Sequence, residues 1–206
     1  MRAVEVRMSA DASRVTALVL AAGLGRRMRG PNKLLLPWRG MSIIRRVVTE
    51  VVAARCDRAV VVLGFEADRV RRELADLPVT FVVNDEFEQG MGTSVRAGAM
   101  AVEDSSAVVV CLGDMPLVEA SVINALIDAY GQGAGVKACQ PVYEGRRGNP
   151  VLWGADSLDD LRRLEGDEGA RKLLRRLGDA LVLVPVTHQG VLLDTDTPDD
   201  LQRLGD

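Results

Sequence analysis

The segment from Leu20 to Lys33, Leu-Ala-Ala-Gly-Leu-Gly-Arg-Arg-Met-Arg-Gly-Pro-Asn-Lys, joins two closely spaced glycines to four cations. Glycines at 23 and 25 permit backbone conformations in which N–H groups converge on phosphate oxygens. Arg26, Arg27 and Lys33 can donate charge-assisted hydrogen bonds to the same oxygens. The spacing lacks the third glycine of a dinucleotide-binding G-x-G-x-x-G turn, and the chain has no G-x-x-x-x-G-K-[S/T] loop. What remains is an anion loop of another kind, or a plain glycine turn with solvated arginines.

Two acidic elements can supply a metal for such a loop. Gly113-Asp114-Met115-Pro116 follows the apolar run Val108–Leu112. A carboxylate there can hold Mg²⁺ against phosphates, since that ion takes one or two carboxylates and substrate oxygens; a turn aspartate before proline is the structural alternative. The second element is Leu193-Asp194-Thr-Asp196-Thr197-Pro198-Asp-Asp200. Thr197, Pro198 and the acids after it read as a helix start. That leaves Asp194 and Asp196 unexplained at a strand end, either one a candidate second metal ligand.

Three weaker elements are polar and glycine-rich. Gly90-Met-Gly92-Thr-Ser94, downstream of Asn84, opens a helix and suits a base edge or an anion. Arg147-Gly148-Asn149-Pro150 and Gly166-Asp-Glu-Gly169-Ala-Arg171 are each weak signals that turns and caps explain better than a ligand does. The single histidine, His188, reads as a surface residue in a polar turn, and no Ser-His-Asp or Cys-His set supports nucleophilic hydrolysis.

The elements that must position these residues alternate in kind. Strands are expected at Thr16–Ala21, Ala59–Gly64, Val79–Val83, Ala107–Leu112 and Val136–Cys139. Helices are expected from Ser42, over Glu66–Leu74, from Gly90 to Met100, and over Ser121–Tyr130. Beyond Pro141 the pattern loosens: a strand at Pro150–Trp153, helices near Leu158–Leu164 and Ala170–Leu177, a strand at Leu181–Pro185, then Val191–Asp194 and a short helix from Pro198. Runs apolar on both faces, alternating with helices, predict a single α/β domain over residues 15–206. Its Rossmann-like, mostly parallel sheet carries helices on both faces. Ligands in such sheets bind beyond the carboxyl ends of the strands. Residues 1–14, polar and aperiodic, read as a flexible extension.

Bulk properties narrow the partners. The net charge is −3, yet seven basic residues and no acidic one fall between Ala21 and Thr49. An acidic chain with one basic stretch suits a small anion and argues against nucleic acid, as does an aromatic content of 3%. Three cysteines without C-x-x-C spacing fit a reduced, cytoplasmic protein. No apolar run is long enough for a membrane span, and none reads as a signal peptide.

Taken in order over nearly the whole chain, these segments resemble the molybdenum cofactor nucleotidyltransferases, whose L-A-A-G-x-S-x-R-M-G-x-x-K pattern is similar to Leu20–Lys33. Gly25 stands where serine is frequent, one residue is inserted between Arg29 and Lys33, and Asn149 replaces a frequent histidine. The resemblance implies a nucleotidyltransferase fold and a Mg²⁺-dependent transfer of CMP from CTP, Ala21-Ala22-Gly23 favouring CTP over GTP, to molybdopterin-bound molybdenum cofactor. It implies that Leu20, Ala21, Ala22, Gly23, Gly25, Arg26, Arg27, Lys33, Asn84, Gly92, Ser94 and Asp114 bind the nucleotide. Gly148, Asn149, Pro150, Gly169 and Arg171 would hold the acceptor. Arg27, Lys33 and Asp114 would be catalytic, with Asp114 and Asp194, or Asp196 in its place, on the metal. An apo-hydroxylase or its chaperone is the implied recipient of the product, and the chain is expected to be a monomer. The rivals are another nucleotide or phosphorylated acceptor (GTP, a sugar-1-phosphate, a phospholactate-type precursor), and a non-catalytic module that carries the cofactor.

Overall fold

The computed structural model describes residues 14–24, 32–166, 169–196 and 200–201. The expected N-terminal extension, Gly25, Arg26 and Arg27 of the glycine–arginine loop, and the Thr197–Pro198 helix start fall outside the described residues, apart from residue 14.

In chain order the strands are β1 (Val15–Ala21), β2 (Pro37–Trp38), β3 (Met41–Ser42), β4 (Arg58–Leu63), β5 (Val79–Val83), β6 (Ala107–Leu112), β7 (Ala138–Tyr143), β8 (Arg146–Arg147), β9 (Val151–Gly154) and β10 (Leu181–Pro185). The helices are α1 (Ile43–Ala53), α2 (Ala67–Glu73), α3 (Met91–Met100), α4 (Ala120–Gln132), α5 (Leu158–Leu161) and α6 (Gly169–Arg176). The main sheet runs β10-β7-β9-β6-β1-β4-β5, with β8 paired to β7. β1 is parallel to both neighbours, β4 to β5, and β10 to β7. The exception is β9, antiparallel to β6 and β7. Only a short connection through β8 joins β7 to β9, too little chain for the crossover that a parallel pair requires.

β1 shows why the sheet is covered on both sides. Val15, Ala17, Val19 and Ala21 enter one apolar cluster with Ile44, Val47, Val48 and Ile123 of α1 and α4. Leu18 and Leu20 enter the opposite cluster with Val95 and Ala99 of α3 and Leu161 of α5. Alternate residues of a strand point to opposite faces, so an all-apolar strand needs two layers of helix.

Local chemistry sets the helices. Ser42 caps α1 by accepting from the Arg45 N–H at 3.2 Å, and its hydroxyl donates to Glu73 at 2.7 Å. The buried residues Ile43, Ile44, Val47, Val48 and Val51 then follow the helical period. The start of α4 has no cap of its own; Glu50 of α1 accepts from the Ala120 N–H at 2.8 Å instead.

Differences from the sequence expectation lie in short elements. The hairpin β2–β3 turns through Arg39 and Gly40, both at positive φ (46° and 87°), and two-residue strands are too short to show alternation. β7 starts at Ala138 rather than Val136 and continues through Pro141 to Tyr143, where β10 and the β8 hairpin hold it. Val191 lies in a 3₁₀ turn over Gln189–Leu192. Among the described residues no helix is long and apolar enough to cross a membrane.

This topology places the chemistry. β1 lies between β4 and β6, so the chain leaves β1 to one side and later returns on the other. The carboxyl ends of β1 and β6 therefore flank a switch point, where open α/β sheets leave a crevice.

Candidate active site

β1 delivers the chain to Ala22 and Gly23 at this crevice. The Ala22 carbonyl accepts from the Phe65 N–H at 3.3 Å, and a Cβ on Gly64 would stand 2.7 Å from the Ala22 Cβ, so only glycine lets the two loops approach. The chain at Asn32 is fixed the same way. Its side chain accepts from the Leu34 N–H at 3.1 Å and donates to the Phe65 carbonyl at 3.3 Å, pinning the 3₁₀ turn of Lys33–Leu35.

From that turn Lys33 reaches across the crevice. Its side chain is only 10% exposed, and Nζ donates to Asp114 Oδ2 at 2.6 Å and to Asp196 Oδ1 at 2.7 Å. Burial pulls its pKa down, but the Asp114 charge and the hydrogen bonds to Asp114 and Asp196 together outweigh it and hold the ammonium above the ordinary lysine value. Asp114 follows β6, whose exit is tied to β1 by a hydrogen bond from the Gly113 N–H to the Leu20 carbonyl at 3.0 Å. A Cβ on Gly113 would meet that carbonyl at 2.7 Å.

The second carboxylate is brought in by a residue that the sequence reading passes over. Thr195 is fully buried, and both its N–H and its hydroxyl donate to the Asp114 carbonyl at 3.0 Å. The two flanking aspartates thereby join the cluster. Asp196 meets Lys33, while Asp194 sits at the rim, partly in solvent. Burial, then the Asp196 and Asp114 charges, raise the Asp194 carboxyl above its usual range, and Lys33 opposes this without prevailing. The order of Thr and Asp in this segment is visible in the sequence, but the inward side chain is not.

Around these groups opens a cavity of about 400 Å³. Leu20, Ala22, Gly23 and Leu24 form one wall; Lys33, Asp114 and Asp196 form another. Opposite lie Phe87, Glu88, Gly90, Met91 and Ser94, at the start of α3. Gly90 precedes that helix with φ 117° and no side-chain cap, so the positive end of α3 borders the cavity. The Asn84 amide is taken up inside this loop: it donates to Thr93 Oγ1 at 2.9 Å and Ser94 Oγ at 3.0 Å, and its oxygen accepts from the Glu86 N–H at 3.0 Å. Asn84 thus fixes Ser94, which lines the cavity. Leu24, Phe87, Glu88 and Met91 lie inside segments the sequence marks as loops, but nothing in their spacing singles them out.

Other expected site residues stand away from the cavity walls. Ala21 is buried beneath them in the core. Gly92 donates its N–H to the Gly166 carbonyl at 2.7 Å, and a Cβ there would stand 2.5 Å from that oxygen. Its smallness seats the loop before α6 against α3. Gly148 lies against the Val191 carbonyl and Asn149 donates to it at 2.9 Å, so this segment props the turn that leads to Asp194 and Asp196. Pro150 packs behind Met115, in the interior. Gly169 opens α6, and Arg171 is exposed in its first turn.

The donor set can hold a divalent cation. Among the described residues no three His, Cys, Asp or Glu side chains form a metal-holding group. Two carboxylates already closed around a cationic Nζ match an ion that takes one or two protein carboxylates and completes its shell with phosphate oxygens and water.

The profile of the MobA-like NTP transferase domain matches residues 17–181. Nicotine blue oxidoreductase of Paenarthrobacter nicotinovorans is 31% identical over 92% of this chain and 96% of its own. Molybdenum cofactor cytidylyltransferase of Escherichia coli K12 is 28% identical over 91% of this chain and 94% of its own. Among solved structures, the Rv0371c protein of Mycobacterium tuberculosis H37Rv superposes with a TM-score of 0.85 at 30% identity, covering 94% of this chain and 98% of that one. Its complex with manganese gives a TM-score of 0.79 at 27% identity, with 94% and 98% covered.

Proposed function

The chain belongs to the MobA-like NTP transferase family, and from that premise we propose that it transfers CMP from CTP to molybdopterin-bound molybdenum cofactor, releasing pyrophosphate. The observation that carries this reading is the Lys33 clamp on Asp114 and Asp196, at the wall of a cavity whose other sides are the Ala22–Gly23 loop and the start of α3. The 28%-identical cytidylyltransferase of Escherichia coli supports the choice of base and acceptor.

In this mechanism a terminal phosphate oxygen of the pterin bonds to the α-phosphorus of CTP. The bond from that phosphorus to the bridging oxygen breaks in line, and pyrophosphate leaves with the electron pair. The attacking phosphate is already an anion, so no general base or covalent enzyme intermediate is needed. Catalysis reduces to positioning and charge neutralisation. Mg²⁺, when bound, supplies charge at the α-phosphate, held by Asp114 and one of Asp194 and Asp196. Ala22, Gly23 and the start of α3 cradle the triphosphate, and Lys33 with Arg27 takes the charge of the leaving pyrophosphate. Of the residues expected to hold the acceptor, exposed Arg171 at the start of α6 is the one free to meet it directly, while Gly148, Asn149 and Pro150 support the turn that carries Asp194 and Asp196.

The test is pyrophosphate release with each of the four ribonucleotides against molybdenum cofactor, a sugar-1-phosphate and a phospholactate. Release with CTP and the molybdenum cofactor alone is the expected result. Release with another pair replaces that base or acceptor, and tight CTP binding without release in any mixture overturns the enzymatic reading. The 31%-identical relative named nicotine blue oxidoreductase favours a second reading, redox chemistry on the same fold. A chain that releases no pyrophosphate but, given an added hydride donor, reduces nicotine blue while that donor is oxidised would take that reading.

A further inference from the structure

Lys33 cannot serve the metal, the phosphates and the carboxylates from one position. Its Nζ stands 2.6 Å from Asp114 and 2.7 Å from Asp196, which is the space between the oxygens that a divalent cation would use. The same ammonium is the described cation that faces the triphosphate side of the cavity. Two cations cannot share the clamp: at this separation, in a site where Lys33 is 90% buried, their repulsion is poorly screened.

The geometry points to an exchange in which Lys33 is the resident counter-ion of the carboxylate pair, displaced only when metal and nucleotide arrive together. This rests on reading the cavity as a metal–nucleotide site. With neither ligand bound, the ammonium lies between the two carboxylates, 2.6 Å from Asp114 and 2.7 Å from Asp196, and neutralises both. A metal arriving alone must push the ammonium out of the clamp with no anion to receive it. A metal arriving with a triphosphate gives Lys33 a new partner on the same wall, because the Lys33 stem leaves a turn that Asn32 holds rigid at the cavity edge. The lysine thereby couples the two ligands: metal affinity is low without nucleotide and rises with it. Coupling of this kind is reciprocal, so the nucleotide must bind more tightly with metal by the same factor.

The test is Mn²⁺ binding to the full chain without nucleotide, read as the electron paramagnetic resonance signal of free Mn²⁺. Lys33→Met, which keeps the stem and deletes the charge, should bind Mn²⁺ alone about tenfold or more tighter than wild type, within the usual range of such couplings. Lys33→Arg should remain near wild type, and adding Asp114→Asn to Lys33→Met should remove the gain. Equal Mn²⁺ titrations of wild type and Lys33→Met overturn the proposal, and so does a gain that survives the Asp114→Asn change. Should Lys33→Met not fold, the ¹H–¹⁵N signal of the wild-type Lys33 ammonium decides. It should move with Mg²⁺ and CTP together and stay with Mg²⁺ alone; a full shift with Mg²⁺ alone overturns the exchange. These readouts need no acceptor. A chain that passes them but makes no pyrophosphate loses the transferase reading and keeps the lysine exchange, whereas the opposite pattern loses the exchange alone.

Discussion

At the residue scale the proposed chemistry rests on Lys33 and the two carboxylates that close on it, Asp114 and Asp196. Lys33→Ala and Asp114→Asn should each lower kcat on the order of 10²-fold or more, as the loss of one preorganised charge at a reacting phosphate does elsewhere. Steady-state pyrophosphate release checks this. Because Thr195 turns Asp196 and not Asp194 onto Lys33, Asp196→Asn should cost more turnover than Asp194→Asn, and the reverse order would assign the clamp to the rim residue. The cysteines lie outside this chemistry. Burial pushes the Cys56 and Cys139 thiols up to about 11, and that of Cys111 higher still. A raised thiol pKa leaves little thiolate at pH 8, and thiolate is the form that alkylates. Iodoacetamide should therefore label the folded chain slowly and all three cysteines quickly after unfolding, as intact-mass spectrometry would show.

At the scale of elements, the site depends on how loops and helix starts are seated. Ser42 makes two hydrogen bonds at the start of α1, and Ser42→Ala should lower stability by about 1 kcal/mol, the usual loss for a helix cap. Urea unfolding measures it. Gly92→Ala forces a methyl against the Gly166 backbone oxygen, and rigid backbone gives way poorly. It should cost about 1–3 kcal/mol. Gly98 offers the contrast, since its added methyl would meet side-chain methyls of Leu18 at 2.9 Å and Val62 at 3.0 Å rather than backbone, and helix propensity returns about 1 kcal/mol to alanine. Gly98→Ala should be the milder of the two in the same titration. If Gly92→Ala is neutral, the loop before α6 is not seated on α3 as described.

At the scale of the molecule, one sheet divides two apolar layers and its switch point collects the charges. Leu18 lies at the centre of the layer that supports α3, with no exposed surface. Leu18→Ala should destabilise by about 2–5 kcal/mol, the range for a leucine deleted from a close-packed core. Since α3 carries Met91 and Ser94 of the cavity wall, the same change should also weaken nucleotide binding. The KM for the nucleotide, measured below the unfolding transition, tests that link.

Much of this was legible in the residues. β5, β6 and β10 have the bounds their apolar runs predict, because a short apolar run between turn signals marks a strand whether it lies inside the sheet, as β6 does, or at its edges, as β5 and β10 do. The Ser42 cap and the period of α1 were equally plain, since a cap and a 3.6-residue repeat are local. The Gly-Asp-Met-Pro motif likewise put a carboxylate at the carboxyl end of a strand. Local sequence could not order the sheet, turn β9 antiparallel, or show the two-residue strands of the Arg39–Gly40 hairpin. Nor could it choose between two aspartates separated by one residue. That choice depends on Thr195 donating twice to a carbonyl 81 residues away, a contact that exists only once β6 and the end of the chain lie side by side. The glycine–arginine loop and both acidic motifs were thus given by residue type and spacing. Their closure on one lysine was decided by the fold, because a charge can be placed against another only where distant segments meet.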